Sequence, residues 1–162
     1  MAESDYFLKI DGVAGESVDS RHKGEIELEA FSWGEMSSAG HAGPGGAGAG
    51  KVTVQDLQFV LRYNKASPAL LLACANGKHL KSAVLTARKA GKGQQEYLIY
   101  KFTDVIVSSY QTGGSTHETT GPMDQVSLGF ARIEIEYRPQ KADGSLDALV
   151  KAGWDVVKNA KI

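Results

Sequence analysis

The sequence predicts a mainly β, closed architecture with one short flanking α-helix. Three observations carry this: apolar residues recur with period two over most of the chain, two long strands switch parity midway, and one segment combines helix start and stop signals. The 162 residues suit a single domain, 1–162, large enough to bury a core without metal or disulfide.

The elements follow in order. Tyr6 to Ile10 reads as a first strand. In the next, Ile26, Leu28 and Ala30 alternate with Glu25, Glu27 and Glu29, which places three carboxylates on a solvated face. From Val52 to Tyr63 the apolar parity runs through Val52 and Val54, then shifts to Leu57, Phe59 and Leu61, so a bulge is expected near Asp56. A helix is predicted next, with Ser67 as its cap, Pro68 in the first turn, good formers from Ala69 to Ala75, and Asn76 with Gly77 as a left-handed stop. Its Leu70, Leu71, Leu72 and Cys74 need apolar cover, and burial is expected for Cys74.

Strands are then expected over Ala83 to Lys89, Glu96 to Ser109 and Trp154 to Lys158. Val126, Leu128 and Phe130 give way to Ile133, Ile135 and Tyr137, the pattern of a long strand that bends. Three stretches read as connections: His41 to Gly50, Gln111 to Pro122 and Pro139 to Gly153. The first has no side chain large enough to build a core, so it is expected to be mobile unless a partner orders it.

Composition narrows the function. Eighteen Lys and Arg against 19 Asp and Glu leave a formal charge of -1, which disfavours nucleic acid or an anionic membrane as partner. Cys74 is the lone cysteine, so no intrachain disulfide is possible. Met1 to Asp5 carry two acids and no base, with no long apolar run behind them, so no cleavable signal peptide is expected. The apolar run Leu70 to Ala75 is too short to span a bilayer.

No catalytic or metal constellation emerges. Gly45 to Lys51 imitates a phosphate loop, yet Val52 stands where Ser or Thr should meet magnesium, and β-branched Val52, Thr53 and Val54 oppose the helix that must follow. His22, His41, His79 and His117 lack a second His or Cys at ligand spacing and read as solvated loop histidines. Ser32 has no G-x-S-x-G context, Glu134 and Glu136 read as the wet face of a strand, and Tyr97, Tyr100 and Phe102 as packing residues. The expectation is no enzyme, no cofactor and no metal.

Several segments nonetheless resemble one family. Asp5 to Ile10 (DYFLKI), Gly15-Glu16-Ser17, Glu25 to Gly34 ending in Phe31-Ser32-Trp33-Gly34, and Gly50 to Leu57 (GKVTVQDL) are similar to the haemolysin-coregulated protein (Hcp) family. So are Ala73-Cys74, Gly77-Lys78-His79, Arg88 to Gly91, Gln95 to Leu98, Val107-Ser108-Ser109, Thr112-Gly113-Gly114 and Pro139 to Gly144 (PQKADG). Their order and spacing cover nearly the whole chain.

The resemblance implies a compact β-barrel of two antiparallel sheets, related to phage tail-tube proteins, that forms hexameric rings. Stacked rings would make the inner tube of type VI secretion, assembled in the cytoplasm within a contractile sheath on a baseplate, tipped by a spike trimer, and expelled with small effectors in the lumen. It implies that Ser32 faces the lumen, although Ser32 continues the inward phase of Ile26, Leu28 and Ala30, so a local bulge near Ala30 or a face that is not all core is needed. It implies contacts between subunits or rings at Gly43, Gly45, Gly46, Gly48 and Gly50, and at Lys89, Ala90, Gly91 and Val157 on opposite ring faces. Ala47, Ala49 and Thr116 to Pro122 depart from the family pattern and leave effector choice open. A phage tail-tube subunit and a small β-sandwich ligand-binding domain are the alternatives.

Overall fold

A computed structural model describes residues 3–38, 51–89 and 93–162. Eleven strands and one helix are found among them: β1 (Ser4–Ile10), β2 (Ile26–Leu28), β3 (Ala30–Ser32), β4 (Glu35–Ser37), β5 (Val52–Val54), β6 (Leu57–Arg62), α1 (Ala66–Asn76), β7 (Leu80–Lys89), β8 (Glu96–Gly113), β9 (Met123–Tyr137), β10 (Val150–Asp155) and β11 (Ala160–Lys161). Every ladder between them is antiparallel. Nine strands form one curled sheet in the order β11-β10-β9-β8-β7-β1-β2, with β6 added to β9 and β3 to β6, while β4 and β5 form a separate ribbon. The mainly β expectation with two antiparallel sheets and one helix therefore holds. Among the described residues the ladders do not close into a complete barrel, because β2 pairs only with β1 and β3 only with β6, and the covalent chain at Glu29 bridges the gap.

The parity switch at Asp56 has a different cause from the bulge expected there. β5 leaves the main sheet to pair with β4, with Glu35 opposite Val54, and β6 starts afresh at Leu57. The bend of the long strand is present. In β9, Val126 and Leu128 point inward, as does Ile133 five residues on, and the partner strand changes from β6 to β10 between them. Opposite this point Asp104 in β8 holds φ +53, a left-handed conformation that few non-glycine residues adopt, so both strands shift phase together. The pairing of β8 continues to Gly113, so Gln111 to Gly113 belong to the strand rather than to the loop.

Helix α1 starts at Ala66, and Ser67 is its buried second residue rather than its cap. Asn64 does the capping: its Oδ1 accepts the Ala66 N–H at 2.8 Å, and the Ser67 Oγ accepts the Asn64 N–H at 3.1 Å in return. Gly77 ends the helix at φ +64, as its position after Asn76 predicts. Ala66, Leu70 and Ala73 face the sheet, whereas Leu71 and Leu72 are exposed and Cys74 is only partly buried, so half of the expected apolar cover is missing.

The core lies between the curled sheet and α1, with Leu8, Ile26, Leu57, Phe59, Leu70, Leu85, Phe102, Val105 and Leu128 almost fully buried. At nearly 25 cal/mol per Å² of apolar area removed from water, burial of such side chains is the main driving term of the fold. Trp33, whose Nε1 donates to the Gln55 carbonyl at 2.9 Å, ties the β4–β5 ribbon to the sheet's edge.

Candidate functional site

Ser32 stands on the outer face of the sheet, and the local geometry removes its parity conflict. The strand breaks at Glu29, whose N–H donates to the Val60 carbonyl at 2.8 Å. Past the break the phase inverts. Phe31 turns in to meet Tyr6 and Tyr100 at centroid separations of 5.1 and 5.9 Å, and Ser32 is exposed.

Register then builds the site. Ser32 pairs with Gln58, Gln58 with Ser127, and Ser127 with Ser109, one row across β3, β6, β9 and β8. Beside it Ala30, Val60, Gln125 and Gln111 make a second row. All eight are exposed or half-exposed, and none has a side chain that titrates. They floor a shallow concavity of about 500 Å³.

Charge returns only at the margins. On one side Arg62 Nε donates to Glu29 Oε1 at 2.8 Å; on the other Ser108 Oγ donates to Asp56 Oδ2 at 2.6 Å. Gly129 lets the second margin close, since a Cβ there would stand 3.3 Å from Ile106 and 3.5 Å from Asp56. The face thus has an uncharged centre and charged margins. It offers hydroxyl and amide groups that donate and accept, with no nucleophile beside a base.

The other sequence-predicted contacts fall elsewhere. Lys89 ends β7; its N–H donates to the Gln95 carbonyl at 3.0 Å, and its ammonium lies 5.6 Å from the Tyr97 ring centroid and bonds to Gln140 Oε1. Val157 is 78% exposed, but it sits in the turn between β10 and β11 rather than in a strand, because Asp155 Oδ1 accepts the Lys158 N–H at 2.8 Å and closes the chain there. Lys89 lies at the Tyr137 end of the β8–β9 ladder, and Val156 beside Val157 donates to Ala131, near the middle of β9 and just past the Arg132 end of the β9–β10 ladder. Gly43, Gly45, Gly46, Gly48, Gly50, Ala90 and Gly91 lie outside the described residues.

One cluster escapes the sequence reading. His22 is buried, not solvated: Nδ1 is 2.9 Å from Glu25 Oε2 and Nε2 is 2.7 Å from Glu96 Oε1. Beside it Arg88 pairs with Asp19, whose carboxyl is held far below its ordinary value by the guanidinium hydrogen bonds and by the Arg21 N–H. The acids around His22 were its signal in the sequence, but the second ring partner, Glu96, is 74 residues away. Glu136 accepts from Lys101 at 3.0 Å, and Phe102 packs in the core. Among the described residues no group of three or more His, Cys, Asp or Glu side chains is placed to hold a metal ion, and no helix is long and apolar enough to cross a membrane.

A family model described as "Type VI secretion system effector, Hcp" matches residues 7–137. Protein hcp1 of Pseudomonas aeruginosa is 49% identical over 159 residues, 97% of this chain and 98% of that one. The crystal structure of Hcp1 from Salmonella typhimurium superposes with a TM-score of 0.80 at 36% identity, covering 100% of both chains. A structure described as a type six secretion system protein gives 0.92 at 30% identity, over 99% of this chain and 100% of the other.

Proposed function

Because the chain belongs to the Hcp family of type VI secretion proteins, we propose that it acts as a single-domain structural subunit whose mechanism is assembly, with no bond made or broken. Six copies close into a ring, rings stack into the secretion tube inside a contractile sheath on its baseplate, and a spike trimer caps it. Small effectors ride in the bore. Assembly takes place in the cytoplasm, and contraction expels tube and cargo from the cell.

The uncharged face centred on Ser32 is the observation that carries this reading. A ring needs one surface of each subunit to fit a different surface of the next, and its inner wall must hold cargo weakly enough to release it. Hydroxyl and amide groups without charge suit that task, since no ion pair has to be broken when the cargo leaves. The placement of Lys89 at the Tyr137 end of the sheet and of Val157 past the opposite end of the β9–β10 ladder supports end-to-end stacking, with the Gly43 to Gly50 segment, Ala90 and Gly91 as further contacts between subunits or rings.

Size-exclusion chromatography with negative-stain imaging tests the assembly. Annular particles with six-fold symmetry are expected. A strict monomer at high concentration would overturn the reading.

A further inference from the structure

The segment between β1 and β2 covers part of the outer side of β1 and β7. This is why Phe7, Thr86 and Arg88 are buried although their neighbours Leu8, Leu85 and Ala87 fill the core from the other side. His22 stacks on Phe7 with centroids 4.3 Å apart and planes 8° from parallel, and the Arg88 guanidinium lies 4.7 Å from the centroid of the same ring.

Three polar links from this segment reach the base of the β7–β8 hairpin. His22 Nε2 meets Glu96, the first residue of β8, at 2.7 Å. Asp19 holds Arg88, next to the last residue of β7, through bonds of 3.0 and 2.7 Å. Arg21 Nη1 donates to the Gln94 carbonyl at 3.5 Å. Gln94 itself stands at φ +33, a conformation disfavoured for a residue with a Cβ, so the hairpin base is held in a shape it would not choose unaided.

The protons decide how much of this holds. A neutral imidazole has one N–H and one bare nitrogen, and can donate to only one of the carboxylates of Glu25 and Glu96; the doubly protonated ring donates to both. We propose that His22 is a positioning residue and a proton-dependent latch: with both ring nitrogens protonated it fixes the end of the β7–β8 hairpin that carries Lys89, and loss of one proton loosens that end and weakens ring stacking. The stacking part rests on the tube reading above; the latch does not.

The groups facing His22 are Glu25 ahead of β2 and Glu96 on β8. Around them stand Asp19 and Arg21 in its own segment, Arg88 on β7 and Asp5 on β1, which is 3.4 Å from Arg88. With the imidazolium, three cations stand against four carboxylates; without it, two stand against four. Only the doubly protonated ring can donate to both carboxylates, so the proposed latch holds on the acid side and opens as pH rises.

The test uses the full-length protein between about pH 5.5 and 8.5, the range over which an imidazole can change charge. Nitrogen NMR of the His22 ring reads its protonation directly, and hydrogen exchange at the Gly93 to Tyr97 amides, corrected for intrinsic rates, reads the hairpin. Protection is expected to fall by about tenfold across the transition, the worth of one lost hydrogen bond to a charged group, and tubes to shorten in parallel. His22→Gln, which offers one donor and one acceptor, should show the low protection at every pH while still forming rings, and thermal unfolding verifies that it folds. A singly protonated ring throughout the range, or the same pH response in His22→Gln, would overturn the latch. If no rings form at any pH the tube reading fails, and the NMR and exchange results still decide the latch. Rings whose stacking ignores pH while the hairpin responds would reject the coupling to stacking.

Discussion

Arg88 grips Asp19 with two parallel hydrogen bonds, Nη1 to Oδ1 at 3.0 Å and Nη2 to Oδ2 at 2.7 Å, while only 3% of the arginine side chain is exposed. Such a fork matches a carboxylate in geometry as well as in charge. Its consequence is an acid-side dependence of stability.

The Asp19 carboxyl is lowered from the ordinary 3.8, chiefly by the Arg88 hydrogen bonds. A depressed carboxyl contributes stability that is fully present above the unfolded value and disappears as pH falls through the folded one. Urea midpoints should therefore decline more steeply below pH 3.8 in the parent than in Asp19→Asn. Asp19→Asn should also be less stable than Arg88→Met at neutral pH, because it leaves a buried guanidinium with Asp5 at 3.4 Å as its one carboxylate among the described residues, whereas methionine removes the charge and can still pack on Phe7. Equal acid slopes, or the reverse ranking of the two variants, would contradict this.

Gly15 sits so close to the backbone just ahead of β2 that an added Cβ would lie 2.3 Å from the Glu25 carbonyl oxygen, a backbone atom that cannot swing away. Gly15→Ala is expected to lower stability by about 1 to 3 kcal/mol through overpacking. Denaturant unfolding measures it, and a change within error would show that the segment relaxes freely.

On the neutral face, Ser32→Trp and Ser127→Arg should leave ring formation intact and weaken effector capture by about tenfold or more, close to 1.4 kcal/mol. Capture by the parent should change little between about 0.05 and 0.5 M salt, since screening acts only on charges. Calorimetry or pull-down with a lumen effector decides. Loss of rings in Ser32→Trp would mean the position is packed, and a steep salt dependence would place capture on charged groups elsewhere.

Replacing Gly46 and Gly48 with Val should impair stacking more than folding, because Val excludes backbone shapes open to glycine. Thermal unfolding and tube imaging separate the two. A large stability loss with unchanged tubes would refute it.

Much of the fold was legible because its signals are local. Period two located β1, β2, β7 and most of β8 and β9, and Asn76-Gly77 marked the helix stop. What escaped was set by distant partners. The parity change at Asp56 looks the same in sequence whether a strand bulges or leaves its sheet, and only the pairing of Val54 with Glu35 decides it. Asn64 and Ser67 are both good caps by type, and the chain's approach to Ala66 selects Asn64. The make-up of the neutral face was half legible. Ser32 followed from the family resemblance, but Gln58, Ser109 and Ser127 join its row through a register that no single strand reveals. His22 and Arg88 were hidden for the same reason, since Asp19 lies 69 residues from Arg88.

A structure of the assembled protein by electron cryomicroscopy tests the account most directly. Ser32, Gln58, Ser127 and Ser109 are predicted to line the inner wall of a closed six-membered ring, exposed to its bore. Finding that row sealed against a neighbouring subunit or turned to the ring's exterior would contradict it.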